Sequence, residues 1–492
     1  MKNILKKIGF LALTIAIVSC DLDREPYDGI EDGKLLSTLE GFNTALKGVY
    51  GGMRSYGYYS SDGGIFMCPD VLSDNLTYNF QGRGSFRTLF ELRYKADETG
   101  YQIYSQAYRV ISRANKILDN IDNLQTNNTA LKSKIKGEAL ALRAIAHFDI
   151  ARVNCKIPTQ SSDAKQSMGI YYSKSFVPEG TPRRYGTTVD EVYANVIKDL
   201  QEALTLIGDT KTDGHLNKTA INAILSRVYL YYGDYQKAVE YANSAIADGS
   251  VRIAKRNEFA SVWTDEFKSN VLFRILFVDS DDIQIGNAYG QMTNGENRAE
   301  YVCSYSFYQL FKDTDIRKST SIYTGNYSGK EYHSVSKYMG RATGNRNLVD
   351  GKYIRLEEVY LTRAEAYYKL GNQMQALADL NAIRTERYEN YTPGIETGDD
   401  LFNAIILERR LELAFEGDRF FTLKRLGLSL QRDDKGEYTD GGGTPISTDF
   451  RTLPAGDYRW QLPIPKEAFS SNPALKEDAK KGSDVDQNPG YY

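Results

Sequence analysis

Histidine is scarce in this 492-residue chain: His147, His215 and His333 are the only three, and none has a second histidine four residues on. That excludes the paired-histidine helix of a zinc protease. No G-x-S-x-G elbow occurs, so the usual serine-hydrolase turn is also missing. Gly325-Asn326-Tyr327-Ser328-Gly329-Lys330 is one residue short of a phosphate loop, and Glu331 follows where Ser or Thr is needed. Positive charge has no excess, with 61 Lys and Arg against 64 Asp and Glu for a net charge of −3, which points away from nucleic acid. Tryptophan occurs twice, and the four cysteines match no disulfide framework or zinc spacing. After the N-terminal segment, no apolar run is long enough to span a membrane.

What the N-terminus does have is the three-part pattern of a secretory signal. Lys2, Lys6 and Lys7 form the positive end, and residues 8–18 form an apolar run too short to cross a bilayer. The run ends in Ile17-Val18-Ser19-Cys20, which resembles a bacterial lipobox. We therefore expect a signal peptide at 1–19, with Cys20 as the acylated first mature residue. Several acyl chains on one residue make a stable anchor, because each buried methylene adds about 0.8 kcal/mol. Removing the three lysines takes the net charge from −3 to −6. Cys68, Cys155 and Cys303 then remain, and they read as small buried apolar residues, since a chain this long can bury a core without staples. The acid-rich stretch from Asp21 has no apolar period, so residues 20–34 are expected to be the lipidated cysteine and a flexible tether.

Helical periodicity begins near Leu35 and recurs at about 99–122, 129–153, 188–207, 218–232, 235–248, 353–370, 373–388 and 399–416. Two stretches rich in Gly, Ser, Asn and Tyr interrupt it, at about 51–95 and 279–350, and strand-like patches such as Val271–Val278 are few and short. Two of the helical pairs repeat each other. With Gly233 aligned on Gly371, Ser226 faces Ala364, Tyr229 faces Tyr367 and Ala238 faces Ala376. The turn Gly233-Asp234-Tyr235 followed by Ala238, Ala242 and Ala245 resembles the second half of a tetratricopeptide repeat, whose small residues let paired helices approach closely. The expected fold is mainly α, a tetratricopeptide-like helical hairpin scaffold with long irregular loop insertions, forming a single domain over 35–492.

A series of motifs runs in order along the chain: Gly41-Phe42, Ala45, Gly48 and Tyr50; then Tyr108-Arg109, Ile111 and Ala114-Asn115. Gly137-Glu138-Ala139 through His147-Phe148-Asp149 comes next, followed by Arg355-Leu356 through Arg363-Ala364-Glu365-Ala366. Glu408-Arg409-Arg410 through Gly417 and Arg419, Pro463-Ile464-Pro465, Asn472-Pro473 and Gln487-Asn488-Pro489-Gly490-Tyr491 complete it. In this order and behind a lipobox, the motifs resemble those of the SusD/RagB outer-membrane lipoproteins. The resemblance implies a helical scaffold carrying a ligand-binding region, and a SusC-like TonB-dependent transporter as partner. It implies an outer-membrane, surface-exposed location and no catalysis. Trp263 and Trp460 look structural, which departs from the tryptophan-bearing sugar arcs of some members.

Candidate chemistry is thin. Glu408, Glu412 and Glu416 stack at i, i+4, i+8 and could form a glycosidase pair. Arg409, Arg410 and Arg419 stand beside them in sequence, however, and would keep them ionised as a structural network. No cofactor or metal is implied, and His147 reads as a packed core histidine. Tyrosine is abundant, 37 against 20 phenylalanines, and a phenol ring offers a sugar an apolar face and a hydroxyl. Because scaffolded loops carry binding residues, Tyr78, Tyr289, Tyr323, Tyr327 and Asn294 are the candidate ligand contacts. The favoured ligand is an oligosaccharide; peptide capture, as in RagB-like proteins, and a lipid-anchored glycosidase are the alternatives. The anchor is testable directly: Cys20→Ser should give a protein that is neither acylated nor pelleted with membranes, and retention of the variant in the membrane fraction would refute the lipobox.

Overall fold

Capping residues set where the scaffold helices begin. The computed structural model describes residues 35–60, 64–99, 101–178, 182–208, 210–281, 285–342, 344–472 and 486–491, so Cys20, the tether and Pro473 lie outside the described residues. Thr38 caps α1 (Leu39–Met53), and α2 spans Ile103–Ile121. Asn128 caps α3 (Thr129–Asn154), and Thr188 forms a capping box with Glu191 at the start of α4 (Val189–Leu206). Asn217 and Asp234 cap α5 (Lys218–Tyr232) and α6 (Tyr235–Ile246). The remaining long helices are α7 (Leu356–Lys369), α8 (Gln373–Thr385) and α9 (Gly398–Glu412).

Consecutive helices pack on one another, and α6 packs against α7 although the whole second insertion separates them in sequence. The aligned glycines do the same work in both repeats. Gly233 (φ 88°) and Gly371 (φ 81°) adopt the left-handed conformation that ends a helix, and Asp234 and Asn372 each donate a backbone N–H to the tyrosine carbonyl of Tyr229 and Tyr367. Ser226, Ala238, Ala364 and Ala376 are all buried where the hairpins close.

Helix α3 is buried on every side over its second half, which is why its charged residues all have partners. Arg143 forms a two-pronged pair with Asp199 (2.7 and 2.9 Å), and Asp149 accepts from Arg152 (2.7 Å) and from the Tyr58 and Tyr59 hydroxyls. The C-terminal motif docks on the same helix end: Asn488 donates to the carbonyls of Asn154 (2.7 Å) and Leu462 (2.6 Å), while Gln487 bonds both the N–H and the carbonyl of Ile464. Cys68, Cys155 and Cys303 are buried, as expected, and form no disulfide among the described residues. Trp263 and Trp460 are buried too.

Two of the helix boundaries differ from the periodicity for a visible reason. Residues 351–355 form strand β8 (Gly351–Arg355), paired antiparallel with β2 (Val271–Ile275), so α7 starts only at Leu356. Helix α9 stops at Glu412 because Phe415 has a left-handed backbone (φ 65°), which takes Glu416 off the helix face. The insertions are also less irregular than expected. The first contributes β1 (Leu76–Tyr78), and the second β3 (Met292–Thr293), β4 (Glu296–Asn297), β5 (Tyr301–Cys303), β6 (Ile322–Tyr327) and β7 (Lys330–Val335). Strands β3 and β4 pair, as do β6 and β7, and β1 pairs with β5, which joins the two insertions to each other.

His147 is a packed core residue. Its ring stacks on Tyr172 (3.8 Å between centroids), Nδ1 lies 2.9 Å from the Arg143 carbonyl, and Nε2 accepts the Ser173 N–H at 3.0 Å. Those partners fit a neutral ring protonated on Nδ1, and burial pushes the pKa from 6.5 down to about 3. Below about pH 6.5 the unfolded chain binds a proton that the folded chain rejects, so stability falls as pH drops from 6.5 toward 3. We expect the urea midpoint to fall between pH 7 and pH 5. In His147→Gln it should start lower at pH 7 and vary less with pH; an unchanged slope would contradict the assignment.

Candidate functional site

The loop after β1 is folded around one buried carboxylate from the other insertion. Asn79 donates to the carbonyls of Glu300 (N–H, 3.0 Å) and Ala299 (Nδ2, 2.8 Å), and the Glu300 side chain accepts from Arg83 N–H (2.8 Å), Arg83 Nε (2.8 Å) and Gly84 N–H (3.2 Å). A Cβ on Gly82 would sit 2.8 Å from that carboxylate, so glycine is required for the wrap. Arg298 fastens the loop from the side, donating to the carbonyls of Gln81 (2.8 Å) and Gly82 (3.1 Å) while its guanidinium lies 5.9 Å from the Tyr327 ring centre. Phe80, 40% exposed, stands edge-on to Tyr78 at 5.1 Å, with Arg87 near both rings.

The β6–β7 hairpin supplies the other side. Period-two alternation puts Tyr323 and Tyr327 on one face with Gly325 between them, where a Cβ would collide with the Ser334 hydroxyl. Both tyrosines are half-buried. The Tyr323 hydroxyl accepts a hydrogen bond from Asn297 Nδ2 at 2.8 Å and also interacts with Arg346. Asn297 is 7% exposed, and its Oδ1 has no protein partner, nor does Nε2 of Gln291. Beside the hairpin a hollow of about 450 Å³ lies among Tyr308, Asp315, Lys318, Tyr323, Thr324 and His333, where His333 stacks on Tyr308 at 3.6 Å. A larger concavity of about 700 Å³ lies against α2, among Tyr104, Tyr108, Phe176 and Ala468.

The five expected contacts therefore divide. Tyr323 and Tyr327 stand at the surface where the insertions meet. Asn294 is exposed, and with Gly295 it forms the tip of the β3–β4 hairpin, both residues at positive φ (52° and 83°). Its identity is explained by the two-residue Asn-Gly turn, a pattern visible in sequence. Tyr78 is 5% exposed, covered by Phe80, so it supports the surface from below. The expectation of direct contact fails for Tyr289, which is 2% exposed and packed between Tyr338 (5.9 Å) and Phe415 (6.3 Å). Counting tyrosines alone missed Phe80, Arg298 and Arg346.

The carboxylates at 408–416 are tied up, though not by the partners their sequence neighbours suggested. Glu412 accepts from Arg387 (2.8 and 3.0 Å), Arg355 (3.0 Å) and Arg317 (3.1 Å); Glu408 pairs with Arg317 (2.6 Å) and Arg384 (2.9 Å), and Glu416 with Lys337 (2.7 Å) and Arg355 (2.8 Å). Arg409 turns instead to Asp418, while Arg410 and Arg419 meet Asp74, because positions one and two residues along a helix face away from its i, i+4 stripe. Burial opposes ionisation of Glu412, yet Arg387, Arg355 and Arg317 hold its carboxyl well below the ordinary 4.5. A carboxylate so held cannot serve as a general acid near neutral pH.

Comparison with known proteins bears on both halves of the chain. Residues 41–230 match a family model described as starch-binding and associating with the outer membrane, and residues 260–491 match the SusD family model. SusD-like protein P2 of Formosa agariphila is 26% identical over 477 residues, covering 86% of this chain and 90% of the relative. A solved SusD superfamily protein from Bacteroides thetaiotaomicron is 26% identical with a TM-score of 0.80, covering 92% of this chain and 100% of the other. A SusD-like carbohydrate binding protein from Bacteroides vulgatus shares the fold at 22% identity and a TM-score of 0.76, covering 90% of this chain and 98% of the other.

The burial pattern separates stability from surface chemistry. Tyr289→Ala should cost about 3–5 kcal/mol, as aromatic truncation in a core does, and Phe80→Ala less than about 1 kcal/mol. Denaturant unfolding of the two variants checks this, and equal losses would contradict the assignment of Tyr289 to the core.

Proposed function

Since the chain belongs to the SusD family, we propose that it is a non-catalytic surface lipoprotein that binds an oligosaccharide and passes it to a SusC-like TonB-dependent transporter in the outer membrane. On this reading residues 1–19 are the signal peptide, Cys20 is acylated, 20–34 form the tether, and 35–492 act as one domain. The description of the N-terminal family model, starch-binding and associating with the outer membrane, supports both the ligand class and the location.

The observation that carries the ligand reading is the meeting of the two insertions on one surface. There Arg298 ties the loop that carries the exposed Phe80 to the half-buried Tyr327, and Asn297 pins the half-buried Tyr323. Aromatic faces receive the C–H surface of a sugar ring, and a phenol hydroxyl hydrogen-bonds its hydroxyls. Peptide capture is the second reading, because the same aromatic rings would pack equally well on peptide side chains. A glycosidase is disfavoured, since Glu408, Glu412 and Glu416 are all held in ion pairs.

Phe80→Ala and Tyr327→Ala should each weaken glycan binding by about 1–3 kcal/mol, as truncated hot-spot aromatics do, with little change in melting temperature for Phe80→Ala. A glycan array followed by calorimetry measures both effects. Full binding by the double variant would move the site elsewhere, and binding of peptides with no glycan bound would overturn the sugar reading.

A further inference from the structure

Around this surface, carboxylates account for some of the arginines and leave two. Arg83 is matched by the buried Glu300 (2.8 Å), and Arg87 and Arg93 share Glu91. Arg298 and Arg346 have no carboxylate at ion-pair distance among the described residues. Of the two acids that flank Arg298 at two residues, Glu296 accepts the Ser328 N–H at 3.0 Å and Glu300 pairs with Arg83.

Neither guanidinium is idle in position. Arg298 spends Nε and one terminal nitrogen on the carbonyls of Gln81 and Gly82, which fixes the plane of the group beside the Tyr327 ring and leaves its other terminal nitrogen unspent. Arg346 is exposed, makes one contact with the Met339 sulfur at 3.8 Å, and reaches the Tyr323 hydroxyl. Each candidate tyrosine of the hairpin thus has an arginine beside it that makes no ion pair among the described residues. Amides and aromatic faces suffice to bind a neutral sugar, whereas two cations without an ion-pair partner also attract an anionic one, on a chain whose net charge is −3. Planar guanidinium forks match carboxylate and sulfate oxygens.

From this geometry we infer that the ligand is an acidic oligosaccharide, with Arg298 and Arg346 reading its carboxylate or sulfate groups next to Tyr327 and Tyr323. The inference rests on the glycan-binding reading above and specifies its substrate class.

Calorimetry on the mature chain tests it with oligogalacturonate, a chondroitin sulfate oligosaccharide, carboxyl-reduced oligogalacturonate, maltoheptaose and an oligoglutamate peptide. The expected result is binding of at least one acidic glycan. That binding should fall about tenfold or more in Arg346→Gln, which removes the charge and leaves the loop around Glu300 fastened. It should also weaken as salt rises from low to physiological concentration. Preference for oligogalacturonate assigns a carboxylate, and preference for chondroitin sulfate assigns a sulfate. Binding of maltoheptaose or of the carboxyl-reduced oligomer as tight as that of the acidic forms, unaffected by Arg346→Gln, overturns the inference while leaving the glycan reading in place. Binding of oligoglutamate alone, or of none of the probes, overturns both. Arg346 is exposed and holds up no loop, so loss of folding does not explain away a negative result for its variant.

Discussion

Everything in this molecule hangs on one buried carboxylate, Glu412, on which three guanidinium groups converge. Arg317 comes from the second insertion, Arg355 from the last residue of β8, Arg387 from the chain just after α8, and Glu412 itself ends α9. Lys337 and Glu416 extend the cluster, and Trp263 covers it with its ring 4.3 Å from Lys337 and 5.3 Å from Arg355. Burying so many charges gives little net stability, because desolvation offsets most of the attraction; removing one partner costs about 3–5 kcal/mol. The contribution of the cluster is positional. It holds the insertion against the ends of the scaffold helices in one arrangement, since any other would strand a charge out of water.

From that junction the order propagates outward by hydrogen bonds of long sequence separation. Tyr338 donates to the Phe415 carbonyl at 2.7 Å and stacks on Tyr289, which packs against Phe415 in turn. Beyond Tyr289 lie Asn297 and Tyr323, then the β1–β5 pair and the loop clasped around Glu300. Tyr289 thus acts one layer beneath the surface, linking the charged junction to the rings that face outward.

The helices were legible because a 3.6-residue period and its caps are local. Asn217, Thr188, Gly233 and Gly371 mark ends that the structure reproduces within a few residues. The surface was legible only in part, for a physical reason. Whether a tyrosine in a Gly- and Asn-rich stretch faces inward depends on partners far away in sequence, and the same composition surrounds Tyr289 and Tyr323. The pairing of Leu76 with Cys303 has no local signature. The ionised state of Glu412 was foreseeable from the density of arginine nearby. Its partners were not, because Arg317, Arg355 and Arg387 reach it through the fold while Arg409 and Arg410 turn away.

A half-buried ring serves capture better than a fully exposed one. Tyr327 packs one side on the small cluster of Ala299, Val302 and Tyr332, and Tyr323 is pinned by Asn297, so neither has much rotamer freedom left to lose when a ligand arrives. Immobilising a free side chain costs about 0.5–1.5 kcal/mol, and here that cost is met when the chain folds. On the proposed anchoring at Cys20 and the proposed pairing with a transporter, the two would also share one membrane plane, which raises their effective concentration for each other. Such a site needs only modest intrinsic affinity, and modest affinity is what permits release into the transporter: a ligand held too tightly at Phe80, Tyr323 and Tyr327 would stay on the surface that captured it.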